Sequence, residues 1–344
     1  MSRDLRDMIF LCTNENEDFV KLVHKLFSEK YGEVSFGRIN ITYHNDKSID
    51  VQIKDNIRKR DVYIFHHFYD YKNEYDPNIG FMKLYFIDDA IRNSSVNEIT
   101  YILPYIPFQR QDRMDRPGVA LNARRTMQML RGYDSIIPMR VVTFDMHAGQ
   151  IQGFVGYPID NLTAYSLFLD YFRNIDGNFT IVSPDAGGVK RAKMFSKDLP
   201  GSRLVVISKT RSEAGSIEDI YIMGKEHVEN RDVIILDDLI DTGGTILEEA
   251  KKLKEAKARN IYTCATHPVF SPKKDKKTDV ILYYPEEEFP KNGIKVITTD
   301  TIPKNKEYIE KNKDWLNVLT VAPIISDAIY EIQTGGSISK LFHL

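Results

Sequence analysis

Cysteine is nearly absent. Only Cys12 and Cys264 occur in 344 residues, far apart and outside any CxxC or zinc-ligand spacing. That excludes a disulfide scaffold and a cysteine metal knot, and the two read as buried, reduced thiols. Long apolar runs are missing too. None approaches the ~20 residues that span a bilayer, and one of the longer ones, residues 318–325, is broken by Thr320 and Pro323. The opening MSRDLRDMIFLC is charged and carries no signal-peptide stretch, so the expected location is the cytoplasm, without a membrane partner. Neither charge is in excess: Lys+Arg 47 against Asp+Glu 49 leaves a formal −2, which argues against nucleic acid as a partner. No GxxxxGKS or GxxxxGKT occurs, which excludes the common P-loop.

What is present is the composition of a folded protein, 42% hydrophobic and 28% charged. The length favours two domains. Short apolar runs at 61–66, 98–103, 140–144, 179–182, 203–207, 233–236, 260–265 and 280–283 read as strands. Amphipathic stretches at 17–31, 80–93, 122–131, 189–196 and 245–258 read as helices. The alternation predicts an α/β fold of two domains, each a mostly parallel sheet flanked by helices. The expected divisions are 1–158, 159–310 and a C-terminal helical segment, 311–344, whose packing side the pattern leaves open. The lysine-rich 271–279 reads as a solvated loop.

The sharpest local signal is VIILDDLIDTGGT, residues 233–245. A buried-type strand ends in Asp237 and Asp238, and Asp241-Thr242-Gly243-Gly244-Thr245 then opens a helix. Glycines let backbone N–H groups close around a phosphate, and a helix N-terminus adds about half a positive charge. The hydroxyls of Thr242 and Thr245 suit the same oxygens. Carboxylates at a strand's C-terminal end suit paired sugar hydroxyls.

This segment resembles the phosphoribosyl diphosphate loop shared by type I phosphoribosyltransferases and ribose-phosphate diphosphokinases. YIPFQRQDR (105–113), FDMHAGQIQGF (144–154), YPIDNLTA (157–164), VSPDAGGVKRA (182–192), ATHPVFS (265–271), DTIP (300–303) and SISKLF (337–342) resemble the diphosphokinases, in the same order along the chain. The resemblance implies two phosphoribosyltransferase-like domains. It implies Mg²⁺-dependent transfer of the diphosphoryl group of ATP to the 1-hydroxyl of ribose 5-phosphate, releasing AMP. Asp241, Thr242, Gly243, Gly244 and Thr245 would hold the 5-phosphate, and Asp237 and Asp238 the ribose hydroxyls. Asp185 and His147 would bind Mg²⁺, His147 also meeting the ATP phosphates. Arg110, Gln111 and Asp46 would contact ATP. Lys209 and Arg211, leaving a strand for a mobile loop, would close over the transferring phosphoryl groups. A homo-oligomer, dimer or hexamer, is expected.

The chain also departs from that family. Its adenine-binding Phe-Ser-Asp-Gly-Glu is His44-Asn45-Asp46-Lys47-Ser48 here, with extra residues after Gly37-Arg38, and Gly149 replaces a larger residue. These departures admit a larger acceptor such as ADP-ribose as an alternative. A phosphoribosyltransferase would leave the RQDR and DMHAGQIQG segments without a purpose. A non-catalytic family member would not be expected to keep Lys209, Arg211, His147 and Asp185.

Overall fold

Two seven-stranded sheets carry the chain. The computed structural model describes residues 4–68, 77–130, 136–211 and 217–341, without the side chains of 209–211, 217–219 and 340. The first sheet contains β1 (Met8–Thr13), β2 (Ser35–Tyr43), β3 (Ile49–Ile53), β4 (Asp61–Phe65), β5 (Glu98–Ile102), β6 (Met139–Phe144) and β7 (Ile159–Leu162). They lie in the order 3-2-1-4-5-6-7. The second contains β8 (Phe179–Ser183), β9 (Arg203–Arg211), β10 (Ile217–Met223), β11 (Asp232–Ile240), β12 (Ile261–Pro268), β15 (Ile294–Thr299) and β16 (Leu316–Leu319), in the order 10-9-8-11-12-15-16. A separate small hairpin joins β13 (Lys273–Lys274) to β14 (Ile281–Tyr283). Among the described residues of the two large sheets, only β2–β3 and β9–β10 pair antiparallel. Counted from its own first strand, each large sheet has the same order.

Central strands such as β4, β8 and β12 are buried on both faces, which is why they read as unbroken apolar runs, whereas β2, β3 and β7 are partly exposed. In β1, Ile9 and Leu11 point into one cluster with Leu84, Ile87 and Ile91 of α2 (Pro77–Arg92). Phe10 points the other way, ring against ring with Phe27 of α1 (Glu17–Tyr31), Tyr63 and Phe65. A short α3 (Asn122–Met129) adds Ala123 and Met127 to the first cluster. The second sheet repeats the arrangement. Ile234 and Leu236 of β11 pack with α4 (Tyr165–Arg173) and α5 (Val189–Asp198), while Val233 and Ile235 pack with α6 (Gly244–Glu255) and Phe289 of α7 (Pro285–Lys291). The result is two layered α/β units, as the alternating pattern requires. Both cysteines are buried and free, and burial pushes the Cys12 thiol up to about 12.

The chain divides into two units: residues 1–163, 301–305 and 320–344 form one, and 164–300 with 306–319 the other. The terminal stretch, read from the sequence as a single helical segment, is therefore shared. After α8 (Lys306–Asn312), β16 completes the second sheet beside β15, and α9 (Ala322–Thr334) then packs on α1 in the first unit. The ring of Tyr330 stacks on Tyr31 at 3.9 Å, and Asp327 accepts from Lys30 and the Tyr31 hydroxyl. Gln333, 1% exposed, accepts from the Tyr63 hydroxyl at 2.9 Å and donates to Asp61 at 3.0 Å. The 271–279 stretch also differs from its reading as a loop, since Lys273 and Lys274 pair with Tyr283 and Ile281. Strand alternation is invisible in so short a pair.

Gln333 hydrogen-bonds both Tyr63 and Asp61, so Gln333→Ala removes two buried hydrogen bonds, each worth about 0.5–1.5 kcal/mol. The expected result is a lower denaturant midpoint, read by tyrosine fluorescence. An unchanged midpoint would show that α9 is held by its apolar face alone.

Candidate functional site

In the second sheet the chain order reverses between β8 and β11, which lie side by side and parallel with Val182 opposite Ile235. Parallel neighbours end at the same edge, so the loop after β8 and the loop after β11 leave together. In open α/β sheets this is where ligands bind. The first loop carries Asp185 and the second carries residues 241–243.

The loop after β8 is shaped around Asp185. The Gly188 N–H donates to its Oδ1 at 2.8 Å, and Ser183 Oγ donates to its backbone carbonyl at 2.7 Å. A Cβ on Gly188 would lie 2.9 Å from Ser183 Oγ, so glycine is needed for the close turn. The Asp185 side chain is left exposed to solvent. A cation that takes one or two carboxylates and completes its shell with water and phosphate oxygens, as Mg²⁺ does, suits such a residue. Among the described residues no group of three or more His, Cys, Asp or Glu side chains forms a closed metal cage.

In β11 the two acids lie within the strand, which runs on to Ile240, rather than at its end as the sequence reading has it. Asp238 is buried and Asp237 half-buried. Burial first, then the neighbouring Asp238 charge, holds the Asp237 carboxyl well above the ordinary carboxylate range. The Asp238 N–H donates to Asp237 Oδ1 at 2.9 Å, which fixes the pair's geometry. A cation or hydroxyl donors placed beside two such carboxyls would favour their charged forms.

The phosphate-type turn then forms as the motif implies. Gly243 takes φ +70° and caps α6, which begins at Gly244. A Cβ on Gly243 would sit 2.5 Å from the ring of Phe289, so both backbone and space demand glycine. Asp241, Thr242 and Thr245 are half-buried around this turn, and the first N–H groups of α6 have no partners within the helix.

In the first unit the other candidates leave β5 and β6, again parallel neighbours. Arg110 and Gln111 follow β5, and His147 follows β6; all three are exposed. Gln109, buried at 4%, ties the two loops together. Its Oε1 accepts from the His147 N–H at 2.9 Å while its Nε2 donates to the Ile106 carbonyl at 3.0 Å. Gln150 donates to Asp112 across the same gap. The Gln111 side chain accepts from Asn122 at the start of α3. Asp46 occupies a different place, the turn between β2 and β3, where its carboxylate accepts from both the N–H and hydroxyl of Ser48. These bonds hold the Asp46 pKa below its ordinary value. The extra residues after Gly37-Arg38 extend this hairpin, with β2 running to Tyr43.

Lys209 and Arg211 belong by backbone to β9, paired with β10, rather than to a loop beyond the strand. Their side chains, and residues 212–216 where the mobile loop is expected, lie outside the described residues. Sequence reasoning missed Gln109 and Phe289. Gln109 sits inside a quoted motif but carries no signal of its own, and Phe289 acts on Gly243 from 46 positions away in sequence, which no local pattern records.

Comparison with known proteins follows these two sets of loops. A family model described as the N-terminal domain of ribose phosphate pyrophosphokinase matches residues 8–133, and one described as a phosphoribosyl transferase domain matches 162–297. The chain is 35% identical over 333 residues to a ribose-phosphate pyrophosphokinase of Campylobacter jejuni, covering 95% of this chain and 96% of that protein. It is 37% identical over 305 residues to the one of Aquifex aeolicus, covering 88% and 90%. Among solved structures it is similar to the phosphoribosylpyrophosphate synthetase of Mycobacterium smegmatis, with TM-score 0.79, 28% identity, and coverage of 96% and 99%.

The acid pair generates a prediction with a definite sign. A carboxyl whose pKa is raised by folding supports stability fully below the ordinary value of about 4. That support is lost as pH rises toward the raised value. Asp237→Asn removes the loss. Its melting temperature should exceed that of the natural protein by about 2–4 °C near neutral pH, with the gain shrinking on acidification. A melting temperature at or below the natural one at neutral pH contradicts the assignment.

Proposed function

Because the chain belongs to the ribose-phosphate pyrophosphokinase family, we propose that it transfers the diphosphoryl group of ATP to the anomeric 1-hydroxyl of ribose 5-phosphate, giving phosphoribosyl diphosphate and AMP. The observation that carries this reading is the β8–β11 pairing, which sets an exposed carboxylate loop beside a glycine turn capped for phosphate.

On this reading the 5-phosphate rests on the backbone of residues 241–245, with Thr242 and Thr245 donating hydroxyl hydrogen bonds. Asp237 and Asp238 accept from the ribose hydroxyls and so orient the sugar. The 1-hydroxyl oxygen attacks the β-phosphorus of ATP, its proton passing to solvent. The bond from that phosphorus to the α,β-bridging oxygen breaks, and its electrons leave with AMP. Arg110, Gln111 and His147 contact the nucleotide, and Asp46 approaches it from the β2–β3 turn. Gln109 holds the His147 backbone in place for that contact. Lys209 and Arg211 neutralise charge on the transferring group, the main requirement of phosphoryl transfer.

Mg²⁺ would be held by Asp185, with His147 on the nucleotide side, and when bound it withdraws charge from the phosphate oxygens. Asp185 is exposed and positioned by the Gly188 N–H, as that task needs. The species at work is a homo-oligomer, a dimer or hexamer. An apolar stripe on α2, in which Ile79, Met82, Tyr85 and Phe86 are each 36–40% exposed, supports association. No helix among the described residues is long and apolar enough to cross a membrane.

Incubation with Mg-ATP and ribose 5-phosphate should release AMP and form the diphosphorylated sugar, and chelation should stop both. A parallel incubation with ADP-ribose tests the larger acceptor; turnover there without turnover of ribose 5-phosphate would replace the proposed substrate. Lys209→Ala should lower turnover by at least about a hundredfold with the fold intact. Near-natural turnover in that variant removes Lys209 from the mechanism.

A further inference from the structure

The segment YPIDNLTA has no part in the chemistry above, yet four consecutive residues of it bond to β6 or to the loop that follows β6. Asp160 pairs with Arg140 at 2.6 Å. The Asn161 side-chain oxygen accepts from the Met146 N–H at 3.0 Å, and the Leu162 carbonyl accepts from the Asp145 N–H at 2.9 Å. The Thr163 hydroxyl donates to Asp145 Oδ1 at 2.8 Å. With Gln109 on the His147 N–H, the three successive backbone donors of residues 145–147 each meet an acceptor. Two of those acceptors come from β7 and one from the loop after β5.

The backbone held in this way is strained. Asp145 takes φ +33°, and Phe108, the residue before Gln109, takes φ +68°. Left-handed backbone is uncommon outside glycine, and for a bulky residue such as phenylalanine it is an outlier. Such conformations persist only where their surroundings over-determine them, and they gather at sites that use the resulting geometry. The bonds from Asn161, Leu162 and Thr163 supply that determination for the loop after β6. What the loop presents is the exposed His147 side chain. With its backbone fixed, the imidazole has only its own two side-chain torsions left to order when a ligand arrives. A pre-organised group binds more tightly because less freedom is lost on binding.

We propose that Asn161 and Thr163 are positioning residues of the nucleotide site, acting through the Asp145–His147 backbone to set the affinity for Mg-ATP. This rests on the reading of His147 as a contact of the ATP phosphates. Asn161 holds the peptide next to His147, so its removal loosens the histidine and lowers nucleotide affinity. Ribose 5-phosphate binding, assigned to residues 237–245, is left alone.

The test is Asn161→Ala, with Thr163→Val, which keeps the side-chain shape, carrying the same comparison should the first variant fail to fold. Calorimetry should show Mg-ATP binding weakened about five- to tenfold, the worth of one hydrogen bond. The KM for ATP should rise in step, with the KM for ribose 5-phosphate within twofold of its natural value. In a His147→Ala background the same substitution should weaken Mg-ATP binding no further. Unchanged Mg-ATP affinity overturns the proposal, as does an equal loss in the His147→Ala background or a matching rise in the KM for ribose 5-phosphate. Natural Mg-ATP affinity in His147→Ala alone also overturns it, while leaving the activity standing. Failure of the activity is separately visible: the natural protein would bind Mg-ATP without releasing AMP, and the Asn161 comparison would still be read from binding. If the natural protein binds no Mg-ATP, both fall.

Discussion

The pairing of β8 with β11 is the constraint on which the second unit's site depends. A parallel strand pair must end both members at one edge, and the reversal of chain order there sends their following helices apart. The loops between are left facing a crevice, without a helix crossing it. Everything the site needs is then a matter of loop chemistry: Gly188 for a tight return beneath Asp185, and Gly243 for a left-handed cap under Phe289. Both glycines are dictated by neighbours already in place. The core clusters on each face of the sheet make this edge rigid, since Ile234 and Leu236 are fixed on one side and Val233 and Ile235 on the other.

The same rigidity allows the strand to hold two acids that oppose its own stability. Asp237 and Asp238 sit at the end of five consecutive buried residues, Asp232–Leu236, where burial and mutual repulsion both disfavour two charges. A pair so placed costs folding free energy and is retained only where something else uses it. By contrast Asp232, at the opposite end of β11, is satisfied by Arg259 and Asn260, and its pKa is lowered. One strand therefore carries a structural acid at its start and strained acids near its finish.

How much of this was legible in the sequence depends on range. The β11 run, the glycine turn and α6 are contiguous, so period and residue type were enough to read them as strand, phosphate turn and helix. The α/β alternation was equally plain, because strands buried on both faces show as unbroken apolar runs. What escaped acts over distance. The return of α9 to the first unit depends on Gln333 meeting Tyr63 and Asp61, some 270 residues earlier. The β13–β14 hairpin is too short to show alternation, and its lysines resemble those of any solvated loop. Asp46 matched a motif position, yet the structure gives its carboxylate to Ser48 within a turn, a contact that the spelling Asp-Lys-Ser records equally well.

The two sheets share one strand order, and the difference between them explains why their candidate residues lie on different strands. The reversal in the first sheet falls between β1 and β4. There Asn16, 4% exposed, donates from Nδ2 to the Phe65 carbonyl at 2.7 Å and accepts from the Thr13 N–H at 3.1 Å. Its side chain thus spans the ends of β1 and β4, at the edge where the second sheet leaves a crevice beside Asp185. With that position committed to internal hydrogen bonds, the exposed polar residues of the first unit shift to the ends of β5 and β6, where Gln109 joins the Arg110 and His147 loops. A duplicated architecture has in this way been given two unlike polar edges. One is shaped by glycines in the loops that carry Asp185 and residues 241–243, and the other is organised by a buried glutamine that ties together the loops carrying Arg110 and His147. The division needs no change of fold, only a different choice of which strand ends are filled from within.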